Sequence, residues 1–369
     1  MARKKKRKLS IKKISIVIFV IITISIITVN FDSIRNVYLS KISGYNKESI
    51  SVFIENDIYK DIKNHEYSKT LETIINTEYY NKNYLDEYLD IVFVENENFL
   101  QNTSLLLDKG YSSNDINNIY DKLTENSINV LINNDYFKDI TNIISINYFK
   151  EDKLERYINY YNEEDDLETI LTYVNIGLDN GYYTNVIEIE DQNNLLVLVN
   201  KYNKLQNDFV PKDLETISSK YGNGSLRKEA RIAFEEMCAA AKDDGITIYG
   251  GSGYRSYSHQ LRLYNNYVAI DGKIEADTYS ARAGHSEHQT GLAMDILNGR
   301  WSFIDDNDKE YTWLVNNSYK YGFILRYLEG KEEITGYMYE PWHYRFVGVD
   351  VAKEIIQLGI TYDEYVAKK

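Results

Sequence analysis

The chain has 369 residues, with 42 basic against 56 acidic side chains, a formal charge of −14 at pH 7 and 43% hydrophobic residues. That is long and apolar enough for two folded domains, and too acidic to grip nucleic-acid phosphates, so no nucleic-acid partner is expected. Its single cysteine, Cys238, excludes an intrachain disulfide; within EEMCAAAKD it is expected to be a small buried residue on a helix, not a nucleophile.

The first thirteen residues hold eight basic side chains, from Arg3 to Lys13, and no acid. The run ISIVIFVIITISIITV (14–29) follows, free of charge and proline. At about 1.5 Å per residue it covers most of a bilayer core of about 30 Å. No small-residue cleavage site follows it, so residues 14–31 are expected to form a single uncleaved transmembrane helix, not a signal peptide. The positive-inside rule then keeps the basic tail, 1–13, in the cytoplasm and sends 32–369 outside the cell, anchored at the cell membrane.

Residues 32–204 are rich in Asn, Tyr, Ile, Leu and acids, with apolar residues at helical spacing, which predicts an all-α domain. A weak internal repeat runs through it. LETIINTEYYNKNYLDEYLD (71–90) aligns with ITNIISINYFKEDKLERYIN (140–159), pairing Ile74 with Ile143, Leu85 with Leu154 and Tyr88 with Tyr157. Such a repeat predicts a small bundle or short solenoid used for spacing or partner binding. The acidic run EEDD (163–166) is a solvated surface.

Composition shifts near 200–222, where Pro211, Gly222 and Gly224 interrupt the helical pattern, so a second domain is placed over 205–369. An amphipathic helix carries Leu226, Ala230, Ala233, Phe234, Met237 and Ala241 on one stripe. Strands are expected over 246–250, 291–297, 323–327 and 342–346, with a glycine-rich loop at 251–256, a helix over 257–268 and a polar segment up to His285. Strands and helices in no strict alternation imply an α+β domain with a small mixed or antiparallel sheet.

The chemistry concentrates in SEHQTGLAMDI (286–296) and EPWH (340–343). Alternation along the two strands puts Asp295 on a face shared with Gly291 and Ala293, and His343 on a face shared with Arg345; Leu292, Met294, Ile296, Tyr344 and Phe346 point the other way. If the polar faces meet, His288, Asp295 and His343 supply three metal ligands and leave a fourth position for water, the pattern of a catalytic Zn2+ site. Glu340 then hangs beside that position as general base. Arg255, on the loop after a strand, can hold a substrate carboxylate or oxyanion, and Gln260 and Ser286 can share the same pocket as substrate-binding residues. Each residue alone has a plain structural alternative: a core histidine, a turn-capping Asp295, a surface ion pair for Arg255. Their joint pattern is what carries the reading. His65, His259 and His285 are not assigned to the metal.

The blocks SGYRSYSHQ, SARAGHSEHQTGLAMDI, GFILRY and EPWHYRFVG together resemble the VanY-type D-alanyl-D-alanine carboxypeptidases, in that family's order, over roughly residues 205–365. The resemblance implies a zinc metallopeptidase that removes the terminal D-alanine from peptidoglycan stem peptides, with His288, Asp295 and His343 as zinc ligands, Glu340 as base, and Arg255, Gln260 and Ser286 at substrate-binding positions. Family members often carry proline at the positions of Ala283 and Leu328. Two alternatives stand beside this expectation: an L,D-carboxypeptidase acting on tetrapeptide stems, and a non-catalytic cell-wall scaffold whose helical domain is the active part.

Overall fold

The computed structural model describes residues 11–369, apart from several side chains of the first helix, so most of the basic tail expected over 1–13 lies outside the described residues. The chain divides into two compact units, Met1–Ser145 and Ile146–Lys369.

The expectation of a transmembrane anchor over 14–31 is corrected. These residues do fall in one long helix, Ile11–Ser43, but among the described residues no helix is long and apolar enough to cross a membrane. The uncharged run, 14–31, is eighteen residues, against about 20 for a full span; Ser, Thr and Asn interrupt it, and the same helix continues through Asp32, Arg35 and Lys41.

In the first unit short helices bury one apolar stripe each, with Ile50, Phe53, Leu71, Ile74, Tyr88, Phe99 and Leu106 at or near zero exposure. The repeat has a structural counterpart. Residues Lys82–Tyr84 and Glu151–Lys153 form equivalent 3-10 turns that run into the helices Leu85–Asp90 and Leu154–Tyr160. The aligned tyrosines do the same work: Tyr88 Oη accepts from the Asn81 backbone N–H at 3.2 Å, and Tyr157 Oη from that of Lys150 at 3.2 Å. The likeness also extends upstream of the aligned stretch. Tyr45 Oη accepts from Ser68 N–H and Tyr111 Oη from Phe137 N–H, each tyrosine following a glycine with positive φ, Gly44 or Gly110.

The second unit is built on a four-stranded antiparallel sheet. Its strands are Ile248–Ser252, Ala293–Asn298, Phe323–Leu325 and His343–Phe346, ordered first, second, fourth, third. The amphipathic helix Lys228–Asp243 packs Ala230, Phe234, Met237, Cys238 and Ala241 into a core shared with Leu292, Met294, Ile296, Tyr344 and Phe346, so the apolar strand face is the one alternation predicts. Each of the larger aliphatic and Phe side chains among them, fully buried, contributes about 1.5–3 kcal/mol of transfer free energy. The segment expected to be polar up to His285 contains the helix Lys273–Tyr279, which follows Tyr257–Asp271 directly after Gly272. Residues 146–204 stand with this unit: Val197 and Val199 lie in its core.

Candidate active site

The register of the sheet creates the site. Asp295, in the second strand, stands directly opposite His343 on one side, and opposite Ser252 on the other through a bulge between Gly250 and Ser252. Opposed residues in an antiparallel pair hold their Cβ atoms about 4.5–5.5 Å apart, so the polar faces of two strands become one floor. His288 reaches that floor from the 3-10 turn Glu287–Thr290, which ends at Gly291 with φ +68°. The positive φ strains any L residue there, and a Cβ on Gly291 would lie 2.7 Å from Leu214 Cδ2, so that side chain would have to shift. The backbone N–H of Arg255 donates to the His288 carbonyl at 3.1 Å, tying the glycine-rich loop to the same turn.

His288 Nδ1 is 2.8 Å from the Gly253 carbonyl. A carbonyl can only accept, so Nδ1 carries the proton and Nε2 presents its lone pair. The close approach needs glycine at 253, where a Cβ would fall 2.4 Å from the Ser225 carbonyl oxygen. His288 Nε2 lies 3.3 Å from Asp295 Oδ2, and His343 Nδ1 lies 3.3 Å from Asp295 Oδ1. One donor atom from each of the three residues falls within 4.8 Å of the others.

These separations fit a zinc ion: at about 2.0–2.1 Å from the metal, tetrahedral ligands stand about 3.3–3.4 Å apart. Asp295 Oδ1 is also buried with no hydrogen-bond partner, an arrangement a cation would satisfy. Among the described residues this is the one such cluster.

Glu340 Oε2 lies 3.4 Å from His343 Nδ1. The Arg255 guanidinium is 3.5 Å from Asp295 Oδ2 and donates to Gln260 Oε1 and Ser252 Oγ, both at 2.9 Å. Gln260 in turn donates to the Ala281 carbonyl at 2.7 Å, so its amide is fixed and orients the arginine. All seven residues singled out from the sequence, Arg255, Gln260, Ser286, His288, Asp295, Glu340 and His343, line one cavity of about 330 Å³, with Tyr279, Tyr327 and Trp342 as apolar walls. His285 does not join them: its Nδ1 meets the Asn200 carbonyl and its ring meets Tyr183.

The electrostatics separate the two carboxylates. Burial lifts the Glu340 pKa to about 7; His343 and Arg255 oppose that rise, and the negative charges of Asp295 and Glu287 add to it. Burial pushes Asp295 the same way, yet the two histidines hold it well below the usual carboxylate range. Burial lowers the His288 pKa. It also opposes protonation of His343, but the adjacent carboxylates of Asp295, Glu287 and Glu340 outweigh it and raise that pKa to about 9. One carboxylate is thus held ionised and the other pushed toward neutrality, a separation that suits the first to a cation and the second to proton transfer.

Sequence reasoning passed over Glu287, which is fully buried and salt-bridged to Arg326 and Arg345. The signal was Arg345 itself, on the same strand face as His343: a guanidinium beside a metal site demands a buried counter-charge.

Comparison with known proteins agrees with this geometry. The family model VanY, D-alanyl-D-alanine carboxypeptidase, matches residues 223–349. A protein of Bacillus subtilis (strain 168) named as the carboxypeptidase YodJ is 41% identical over 195 residues, covering 49% of this chain and 70% of its own length. A D-alanyl-D-alanine carboxypeptidase of Enterococcus faecalis (strain ATCC 700802 / V583) is 36% identical over 187 residues, covering 48% of this chain and 67% of its own. The solved structure of the LdcB LD-carboxypeptidase is 39% identical, covers 50% of this chain and 91% of its own, and has a TM-score of 0.47. With this likeness across most of a relative's length, and the His/Asp/His donor set in place, the chain belongs to the VanY family of D-alanyl-D-alanine carboxypeptidases and is a zinc metallopeptidase.

Proposed function

We propose that the protein removes the terminal D-alanine of peptidoglycan pentapeptide stems by cutting the D,D bond, and that it does so outside the cytoplasmic membrane, where those stems lie. In this reading His288 Nε2, Asp295 and His343 Nδ1 hold the zinc, which when bound polarises the scissile carbonyl and activates water. Glu340 takes the proton from the attacking water and delivers it to the leaving amine, a task suited to a carboxylate that titrates near neutrality. Arg255, preset by Gln260 and Ser252, binds the terminal carboxylate of the peptide, and Ser286 adds a hydrogen bond to the same end.

The observation that carries the reading is the distance from Arg255 to Asp295, 3.5 Å. A guanidinium beside the ligand set can pair with the free terminal carboxylate of a peptide, which suits an exopeptidase acting at a C-terminus, whether the bond cut is D,D or L,D.

Mass spectrometry of synthetic stems after incubation with the protein tests it. D-Alanine should be released from the pentapeptide, and neither chelator-treated protein nor Glu340→Gln should release it. Release from the tetrapeptide alone would overturn the D,D assignment in favour of an L,D-carboxypeptidase. A protein that binds wall fragments but releases nothing, with Glu340→Gln unchanged in every assay, would favour a scaffold.

A further inference from the structure

Two buried polar atoms in the catalytic unit lack a hydrogen-bond partner and face each other: His343 Nε2 and Glu287 Oε2, 3.5 Å apart. The carboxylate cannot turn away from the ring. Its other oxygen accepts from Arg326 Nε at 2.8 Å and from Arg345 Nη1 at 2.9 Å, and both guanidiniums are fully buried. Each arginine is fixed in turn. Arg326 Nη1 donates to Asp363 Oδ2 at 2.6 Å, and Asp363 also accepts from Asn200 Nδ2 at 2.8 Å. Arg345 Nη2 donates to the Leu195 and Val197 carbonyls.

From this geometry we propose that Glu287 is the positioning residue for His343, accepting the Nε2 proton and so presenting Nδ1 to the metal in one tautomer and one ring orientation. The inference rests on the reading of His343 as a zinc ligand. An imidazole that gives one nitrogen to a metal keeps its proton on the other, and the group receiving that proton sets the ring angle and the basicity of the ligand. Here Nδ1 faces Asp295 and Glu340, so with the metal on Nδ1 the proton-bearing atom is Nε2, and Glu287 is the carboxylate facing it. A rotation of a few tenths of an ångström brings 3.5 Å to hydrogen-bond length. The clamp takes its last members, Asn200 and Asp363, from outside the residues the family model matches, so the support of the site reaches to both flanks of the catalytic core.

The test uses the full chain. Zinc affinity is measured by competition with a chromophoric chelator, and the zinc-loaded protein, labelled with 15N-histidine, is examined by NMR. In the wild type His343 should show a protonated Nε2 whose N–H exchanges slowly with water. Glu287→Gln keeps the size of the side chain but lacks the charge; it should bind zinc about 10- to 100-fold more weakly and lose the slow exchange of that N–H. A folded Glu287→Gln with wild-type zinc affinity and an unchanged His343 N–H overturns the proposal. If that variant does not fold, the wild-type spectrum decides alone: a zinc-loaded His343 protonated on Nδ1 is fatal. His343→Ala separates the two levels, because a variant that retains wild-type zinc affinity removes the ligand reading itself, whatever Glu287 does.

Discussion

Glu340 and His343 sit 3.4 Å apart, and their shifted pKa values make the site sensitive to pH in two ways. Without metal, His343 holds a proton up to about pH 9, and zinc must displace it from Nδ1. Zinc affinity should therefore rise about tenfold per pH unit between pH 7 and 9 and then level off. Chelator competition at several pH values, with proton release followed in buffers of different ionisation enthalpy, checks this; a flat affinity from pH 7 to 9 contradicts it. For Glu340 the sign is the opposite of that of a group needed protonated. The base must be ionised, so kcat/KM should fall as pH drops through its pKa, which is about 7 without metal and lower beside a dication. Glu340→Gln should abolish that acid limb and cost about 10²–10⁴ in kcat, while zinc content measured by atomic emission stays at the wild-type level.

At the scale of elements, the strand alternation that put Asp295 and His343 on polar faces was legible because a two-residue period leaves little freedom once Leu292, Met294, Ile296, Tyr344 and Phe346 are assigned to the core. Which strands pair, and in what register, was not legible, since the bulge at Gly250 and the crossing of the fourth strand between the second and third depend on long-range contacts. The helix Lys273–Tyr279 was hidden because it is short and keeps only Ala276 fully buried, too weak a stripe to be seen as periodicity. Glycine at 291 was visible only as a residue; its positive φ and its 2.7 Å approach to Leu214 give it a function. Gly291→Ala should lower stability by about 1–2 kcal/mol from the left-handed backbone alone and should disturb the His288 turn. Thermal unfolding with and without zinc measures both effects, and an alanine variant with the wild-type melting temperature and zinc affinity would show that the turn tolerates a side chain.

The division of the whole molecule depends on packing that composition does not report. The change near residues 200–222 marks where helices give way to strands, yet residues 146–204 stand in the same compact unit as the catalytic domain. Their backbone and side chains complete its interior: Val197 and Val199 enter the core, the Leu195 and Val197 carbonyls receive Arg345, Asn200 binds Asp363, and Asn175 donates to the Ala367 carbonyl. Removing this segment would strip the Leu195 and Val197 carbonyls from the buried Arg345 and Asn200 from the buried Asp363, hydrogen bonds to charged groups worth about 1.5–3 kcal/mol each, while their ion pairs with Glu287 and Arg326 remain, and would expose the apolar surface that two buried valines cover. A chain beginning at Ile146 should therefore fold cooperatively, bind zinc and cleave stem peptides, whereas one beginning at Gln206 should be expressed as a protease-sensitive, largely inactive protein. Limited proteolysis, thermal melts and D-alanine release from both fragments make the comparison. Equal stability and activity in the shorter fragment would mean that the catalytic core closes without the preceding residues and that the contacts of Arg345 and Asp363 with them contribute little.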